Sequence, residues 1–530
     1  MKRTVIIHGH FYQPPRMNPW TGAIESQESA YPADNWNERI YHECYLPNTR
    51  AEIKSPQGEL DLVNNFEYIS FNVGPTLSSW LAENYIKTYE KILSADWMRN
   101  TAVAMPYNHT ILPLDINEIR KIQIKWGIKE FEMRYKRYPK GMWLPECAVN
   151  KQVIKDLIEE EIKFIVLTRG QAESISRLHG RKYYDISDNA LDVRRPYRFF
   201  IEDGRHIDIF FSHHELSVDI SFNNLLNNPV ELANRIEKIF GHKHSEDMVV
   251  TIATDGETFG HHHKGSEKGL AYLLKYELPS RGIEVSNFEK YLKKYPPNWE
   301  VKIKENSSWS CYHGLERWKS SCGCGAEEGK DLEWRKPLRE SITWLGQRAV
   351  EFIKEKKDTY FNDSGWEGVY DCGKALSNLY KSEKFQQDYV KPEFENSIEV
   401  KKFMELIYFT CYMFTSCGWF FGSFFRFEPV QNLSFSLKVI ELLREVWNMD
   451  LEEGFVQKLN SHPDSVYVWN GLVKNRKVGP EKIADKLKSI YQQTGIRKGK
   501  NGYWYIDINE KDSKPAVKME HIRTGEIYEF

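Results

Sequence analysis

Val249-Val250-Thr251-Ile252-Ala253-Thr254-Asp255-Gly256-Glu257 decides the fold. An apolar, β-branched run ends in two carboxylates and a glycine. A continuous apolar run of this length reads as a strand covered on both faces, as in a parallel sheet. Working back toward the N-terminus, comparable runs occupy residues 4–8, 68–72, 102–106, 141–144, 164–167 and 207–211. Amphipathic stretches lie between them at 77–95, 116–137, 151–160 and 229–240. The last is announced by Asn228-Pro229, a helix start. Strands alternating with helices predict an α/β fold built from βαβ units, and about seven repeats favour a closed or nearly closed barrel.

After Tyr295-Pro296-Pro297 the texture changes. A loop rich in Ser, Cys and Gly covers residues 306–329. Helical periodicity follows at 332–356, 400–416 and 433–447, predicting a helical bundle. The tail contains Tyr503-Trp504-Tyr505-Ile506-Asp507-Ile508, which alternates in part like a strand. The expected domains are therefore a barrel over 1–295, a helical domain over 296–475 and a small β-containing extension over 476–530. No internal repeat is evident.

Composition narrows the partners. The chain has 530 residues, too many for one ordinary core. A formal net charge of −2 gives no electrostatic footprint for nucleic acid or an anionic membrane. Residues 406–425 carry no charge, long enough to prompt a membrane reading. Their Thr, Ser, Cys and Gly content instead predicts a buried helix ending near Gly418. At the N-terminus only Val5-Ile6-Ile7 precede His8, so no signal-peptide core is expected. Eight cysteines scattered through a long chain predict reduced thiols and a cytoplasmic setting. Aromatic residues reach 14%, which serves large cores and also suits stacking on pyranose rings.

Chemistry gathers just after the strand candidates, where α/β barrels place their catalytic rim. His8-Gly9-His10 follows the first strand, and its two imidazoles point the same way. That geometry suits a metal ion or hydrogen bonds to sugar hydroxyls. Gly141-Met142-Trp143-Leu144-Pro145-Glu146 delivers a carboxylate at a strand end, an economical nucleophile if kept ionised. Asp255 and Glu257 supply a second carboxyl, with Glu257 the rival acid. Retaining glycosidases require one ionised and one protonated carboxyl about 5–5.5 Å apart. Glu146 facing Asp255 across a barrel mouth meets that need. Trp419, in Ser416-Cys417-Gly418-Trp419-Phe420, is a candidate stacking platform for a sugar ring.

These places, in this order, resemble glycoside hydrolase family 57. Trp143-Leu144-Pro145-Glu146 matches its nucleophile motif. Asp255-Gly256-Glu257-Thr258-Phe259-Gly260-His261 is similar to its acid/base motif in the form seen in branching enzymes. Phe71-Asn72-Val73-Gly74-Pro75-Thr76-Leu77 looks like its second motif. The resemblance spans residues 1–421. It implies an incomplete seven-stranded barrel, a helical domain closing the cleft, retaining chemistry on α-glucans or malto-oligosaccharides, no catalytic metal and no cofactor. Carried over residue by residue, it makes Glu146 the nucleophile and Asp255 the general acid/base. It makes His8, His10, Asn72, Trp143, Glu257, His261 and Trp419 substrate contacts. His262 and His263 stand where branching enzymes carry a Trp. Trp309-Ser310-Cys311-Tyr312-His313 through Cys322-Gly323-Cys324 resembles a subgroup with an uncharacterised C-terminal region. Cys311, His313, Cys322 and Cys324 are zinc-ligand types, but C-x-C is not the usual hairpin spacing of structural sites.

Two other readings are carried forward. One is a metal-dependent carbohydrate enzyme, of deacetylase or mannosidase type, using His8, His10 and Asp255. The other is a non-catalytic glucan-binding protein, which would need no paired carboxylates.

Overall fold

A computed structural model describes residues 2–180, 182–186, 191–241, 247–325, 331–362, 366–375, 383–495, 497–511 and 514–530. The chain forms two compact units. The first comprises Met1–Gln13, Gln27–Pro113 and Gly127–Leu315; the second comprises Pro14–Ser26, Leu114–Trp126 and Glu316–Phe530.

The first unit is organised by seven parallel segments. Arg3–Phe11 lies between Met248–Asp255 and Ser70–Val73. Phe71 bridges to Ala102, Ala104 to Met142, and Gly141 to Phe164. Phe164–Thr168 then pairs in parallel with His206–Ser212. The ring returns to its start through one backbone hydrogen bond, His213 N to Thr251 O at 2.8 Å. Among the described residues no strand ladder joins that seam, so the barrel is incomplete. Each of the seven segments coincides with an apolar run in the sequence. Met248–Asp255 is buried at every position except Asp255, as expected of a strand covered on both faces.

The helices follow local signals. Asn228 Oδ1 accepts from Glu231 N and Pro229 opens Pro229–Phe240. Asn150 does the same for Lys151–Glu159 through Val153 N. The expected helix over 77–95 is two helices, Pro75–Asn84 and Ile86–Arg99. The break falls at Tyr85, whose backbone leaves the helical region while its ring stacks on Tyr41 at 3.5 Å and its hydroxyl donates to Glu38.

A second set of strands extends the sheet beyond His206–Ser212. Tyr197–Phe200 pairs with it antiparallel, then Trp299–Ile303, Ala172–Arg177 and Tyr184–Asp185 follow. Trp299–Ile303 thus belongs to the first unit, which continues past residue 295 to Leu315.

In the second unit the long helices are Arg335–Tyr360, Ile398–Tyr412 and Phe427–Trp447. The buried helix expected to end near Gly418 ends at Tyr412; a short helix, Cys417–Phe420, follows. No described helix is long and apolar enough to cross a membrane. The C-terminal tail is a four-stranded antiparallel sheet of Lys498–Asn501, Trp504–Lys511, Lys514–His521 and Ile527–Glu529. Ile483 and Leu487 of helix Pro480–Thr494 share a core with Trp504, Ile506, Val517 and Met519.

Candidate active site

Strand register builds the first part of the site. His10 lies opposite Asp255 on one side and opposite Asn72 on the other. Three residues expected at the site are therefore set side by side by pairing alone. Asp255 is the last residue of its strand and the one that solvent reaches.

Glu146 arrives by a sharper device. Its backbone adopts φ 57°, ψ 19°, and Cys147 also has positive φ. A non-glycine residue in this left-handed region is uncommon and costs about 1–3 kcal/mol. Surrounding contacts hold it there. The Glu146 carbonyl accepts from Trp309 N at 2.9 Å, and the Cys147 carbonyl accepts from Gln171 Nε2 at 2.8 Å. The Glu146 side chain is held as well: Oε2 accepts from Trp309 Nε1 at 3.0 Å and from Ser310 Oγ at 2.5 Å. Donors aimed at a carboxylate favour its ionised form.

Asp255 and Glu257 are tuned the other way. Solvent reaches Asp255, yet the protein packed around its carboxyl thins the water there, and with the Glu146 charge adding to it the carboxyl is pushed up to about 7. Glu257 is raised to about 8, chiefly by burial and also by Asp255, against the lowering effect of the hydrogen bond from Tyr45. Its Oε1 accepts from Tyr45 Oη at 2.7 Å and from Tyr12 N at 3.1 Å. A carboxylate that accepts from two donors and two carboxyls pushed upward are the kinds of group an acid/base set needs.

A buried aromatic layer adjoins these groups. His8 stacks on Trp143 with centroids 4.6 Å apart, and His10 stacks on Trp143 at 5.3 Å. Trp143 meets Trp309 edge-on at 5.2 Å. His8 contacts Ser70 Oγ at 3.2 Å and Asn72 Oδ1 at 3.1 Å. His10 contacts the Asn72 amide through Nδ1 and His109 Nε2 through Nε2 at 3.0 Å. Burial lowers His8 to about 3 and His10 to about 4, so both imidazoles are neutral. Their ring nitrogens are engaged within this network. His109, in turn, stacks on Tyr12 at 3.9 Å.

The remaining expected residues fall elsewhere. His261 Nδ1 pairs with Glu43, and its ring meets Trp36 edge-on at 5.9 Å. His263 Nε2 contacts Ser221 O at 2.9 Å, while burial lowers His262 to about 4. Trp419 is wholly buried inside the second unit. Its Nε1 donates to Arg335 O at 3.2 Å, and the Arg339 guanidinium lies 3.8 Å from its ring centroid. It is a core residue of that unit in this structure.

The description Glycosyl hydrolase family 57 matches residues 5–304, more than half of the chain. The chain belongs to glycosyl hydrolase family 57. A domain of unknown function, DUF3536, matches residues 331–527. Alpha-amylase 1 of Dictyoglomus thermophilum is 25% identical over 224 residues, which cover 42% of this chain and 29% of that protein. The chain thus matches under a third of that relative's length. Among solved structures, an exo-type maltose-forming amylase from Pyrococcus sp. ST04 superposes with a TM-score of 0.63 at 16% identity, covering 95% of this chain and 87% of that one. A family 57 branching enzyme from Thermococcus kodakaraensis gives 0.55 at 15% identity, covering 92% and 94%. A 4-alpha-glucanotransferase from Thermococcus litoralis gives 0.50 at 16% identity, covering all of this chain and 68% of that one. At these identities the likeness is one of fold.

Sequence reasoning missed several groups in this candidate site. Trp309 and Ser310 were read as part of a cysteine-rich loop, yet they hold the Glu146 carboxylate. Tyr45 and His109 were not singled out. His109 follows the third strand run, so the strand-end rule that found Glu146 and Asp255 also points to it.

Proposed function

We propose that this family 57 chain is a retaining α-glucan hydrolase or transglycosylase. The observation that carries the reading is the different setting of two strand-end carboxyls. Glu146 is held by two donors that favour charge, while Asp255 is held near a pKa of 7. Glu146 attacks the anomeric carbon as the bond to the leaving oxygen breaks, and Asp255 gives that oxygen its proton. A glycosyl-Glu146 ester forms. Asp255, now ionised, takes a proton from water or from a sugar hydroxyl, which attacks the same carbon and releases Glu146.

The choice of α-glucan draws on the printed names of the relatives, which include an amylase, a branching enzyme and a glucanotransferase. Glu257 stays protonated beside Asp255 and offers a hydrogen-bond donor to a sugar. His8, His10, Asn72 and Trp143 form the layer that orients the site. A cytoplasmic setting fits the seven described cysteines, which form no disulfide.

The metal-dependent alternative draws less support, because the nitrogens of His8 and His10 are engaged with Ser70, Asn72 and His109. Incubation with maltoheptaose, followed by carbohydrate chromatography, tests the proposal. Wild type should yield shorter products by hydrolysis or longer ones by transfer, and Glu146→Gln neither. Equal turnover by both proteins would overturn the assignment.

A further inference from the structure

The loop that carries Trp309 and Ser310 continues into a cluster that the proposed reaction does not use. The side-chain donors of Cys311, His313, Cys322 and Cys324 all lie within 4.8 Å of one another. All four come from residues 311–324, so the grouping is a local property of one loop. We propose that this loop is a structural zinc site of three thiolates and one imidazole.

Four features support it. The ligand count and type are those of a closed four-coordinate zinc site. With Zn–S near 2.3 Å, ligands at tetrahedral corners stand about 3.8 Å apart, so the observed grouping needs only a small contraction. None of the three cysteines is in a disulfide. The backbone is also shaped for convergence. Cys311-x-His313 is followed by Gly314 (φ 79°), and Cys322-Gly323-Cys324 is followed by Gly325 (φ 72°), with Gly323 itself at φ 80°. The glycine after each ligand pair takes the left-handed conformation that a β-carbon disfavours, turning the chain back sharply. Gly314 has little alternative, since a β-carbon there would lie 2.5 Å from Asn306 O. The first turn is closed by Gly314 N donating to Cys311 O at 3.2 Å.

The site has a stated consequence. Ser308 Oγ donates to Gly314 O at 2.7 Å, and Trp309 and Ser310 immediately precede Cys311. Bound zinc therefore fixes the segment whose indole and hydroxyl hold Glu146. The metal touches no reacting atom: four protein ligands leave no open position for water or substrate.

The test uses the full chain, without a histidine tag, purified under reducing conditions without added metal. Elemental analysis should find about one zinc per chain. The double substitution Cys322→Ser with Cys324→Ser should abolish it. Exchange of zinc for cobalt in the wild type should give thiolate-to-cobalt charge-transfer absorption, a reading that needs no variant to fold. Wild type that neither contains zinc nor takes up zinc or cobalt would overturn the proposal. So would undiminished zinc in the double variant, or a Cys322–Cys324 disulfide found by mass spectrometry.

Discussion

Trp309 grips Glu146 at two points, its backbone N–H on the Glu146 carbonyl at 2.9 Å and its indole N–H on Oε2 at 3.0 Å. The first contact supports a backbone turn that glutamate rarely adopts; the second supports the charge that the turn presents. Ser310 adds a third contact at 2.5 Å. Hydrogen bonds to a charged group contribute about 1.5–3 kcal/mol. Trp309→Phe and Ser310→Ala should each lower kcat roughly 10- to 100-fold by that measure. Both remove a donor that favours the carboxylate, so the loss should be larger at acidic than at neutral pH. A pH–rate profile of each variant beside wild type checks this.

In the proposed mechanism the proton on Asp255 sets the alkaline side of the profile. With its carboxyl near 7, glycosyl transfer to Glu146 should decline as pH rises through about 7, because the general acid is lost. Asp255→Asn should show little turnover on ordinary substrates. On substrates whose leaving group needs no proton, formation of the glycosyl-enzyme should persist and lose the alkaline limb. Pre-steady-state kinetics with an activated aryl or fluoride glycoside reads this directly.

Glu257 ties stability to pH. Its folded value, about 8, lies above the ordinary carboxylate value of 4.5. Between those values the native state holds a proton that the unfolded state has released. This contribution to stability is complete below about 4.5 and is lost as pH rises through about 8. Glu257→Gln keeps the shape without the ionisation, so its Tm should fall less than that of wild type between pH 5 and pH 9. The buried side chain makes the difference on the order of a few kcal/mol at the alkaline end. Thermal melts across that range check the prediction.

Asn72 joins the two imidazoles of the first strand. Asn72→Leu removes the amide partner of His8 Nε2 and of His10 Nδ1, leaving buried polar nitrogens without it. Each lost partner costs about 1–3 kcal/mol, so the variant should be destabilised by roughly 2–6 kcal/mol. Denaturant unfolding measures the loss, and an unchanged midpoint would contradict the network.

Much of this was legible in the sequence because barrel strands covered on both faces leave apolar runs, and their ends leave polar residues in fixed places. That rule singles out Asp255 and Glu146 as candidates. The strands that extend the sheet were not, because Ala172–Arg177 alternates buried and exposed positions with charges interspersed, which an apolar-run reading passes over. The break at Tyr85 was hidden for a different reason: no Gly or Pro marks it in residues 77–95, and it coincides with a ring stacked on Tyr41. Trp309 and Ser310 lie 163 and 164 residues from Glu146 along the chain, so no local pattern could pair them. Trp419 shows the converse. An aromatic beside a glycine at a helix end looks available to a ligand, and only the packing of Arg335 and Arg339 makes it core.

With Glu146 proposed as the nucleophile, trapping its ester is the most direct test. Wild type treated with a 5-fluoro-α-glucosyl fluoride, which slows release of the intermediate, should be digested and its peptides weighed. The account predicts a glycosyl adduct on the peptide containing Glu146, absent from Glu146→Gln. An adduct on Asp255 or Glu257 would contradict it, as would turnover of the reagent by Glu146→Gln at the wild-type rate.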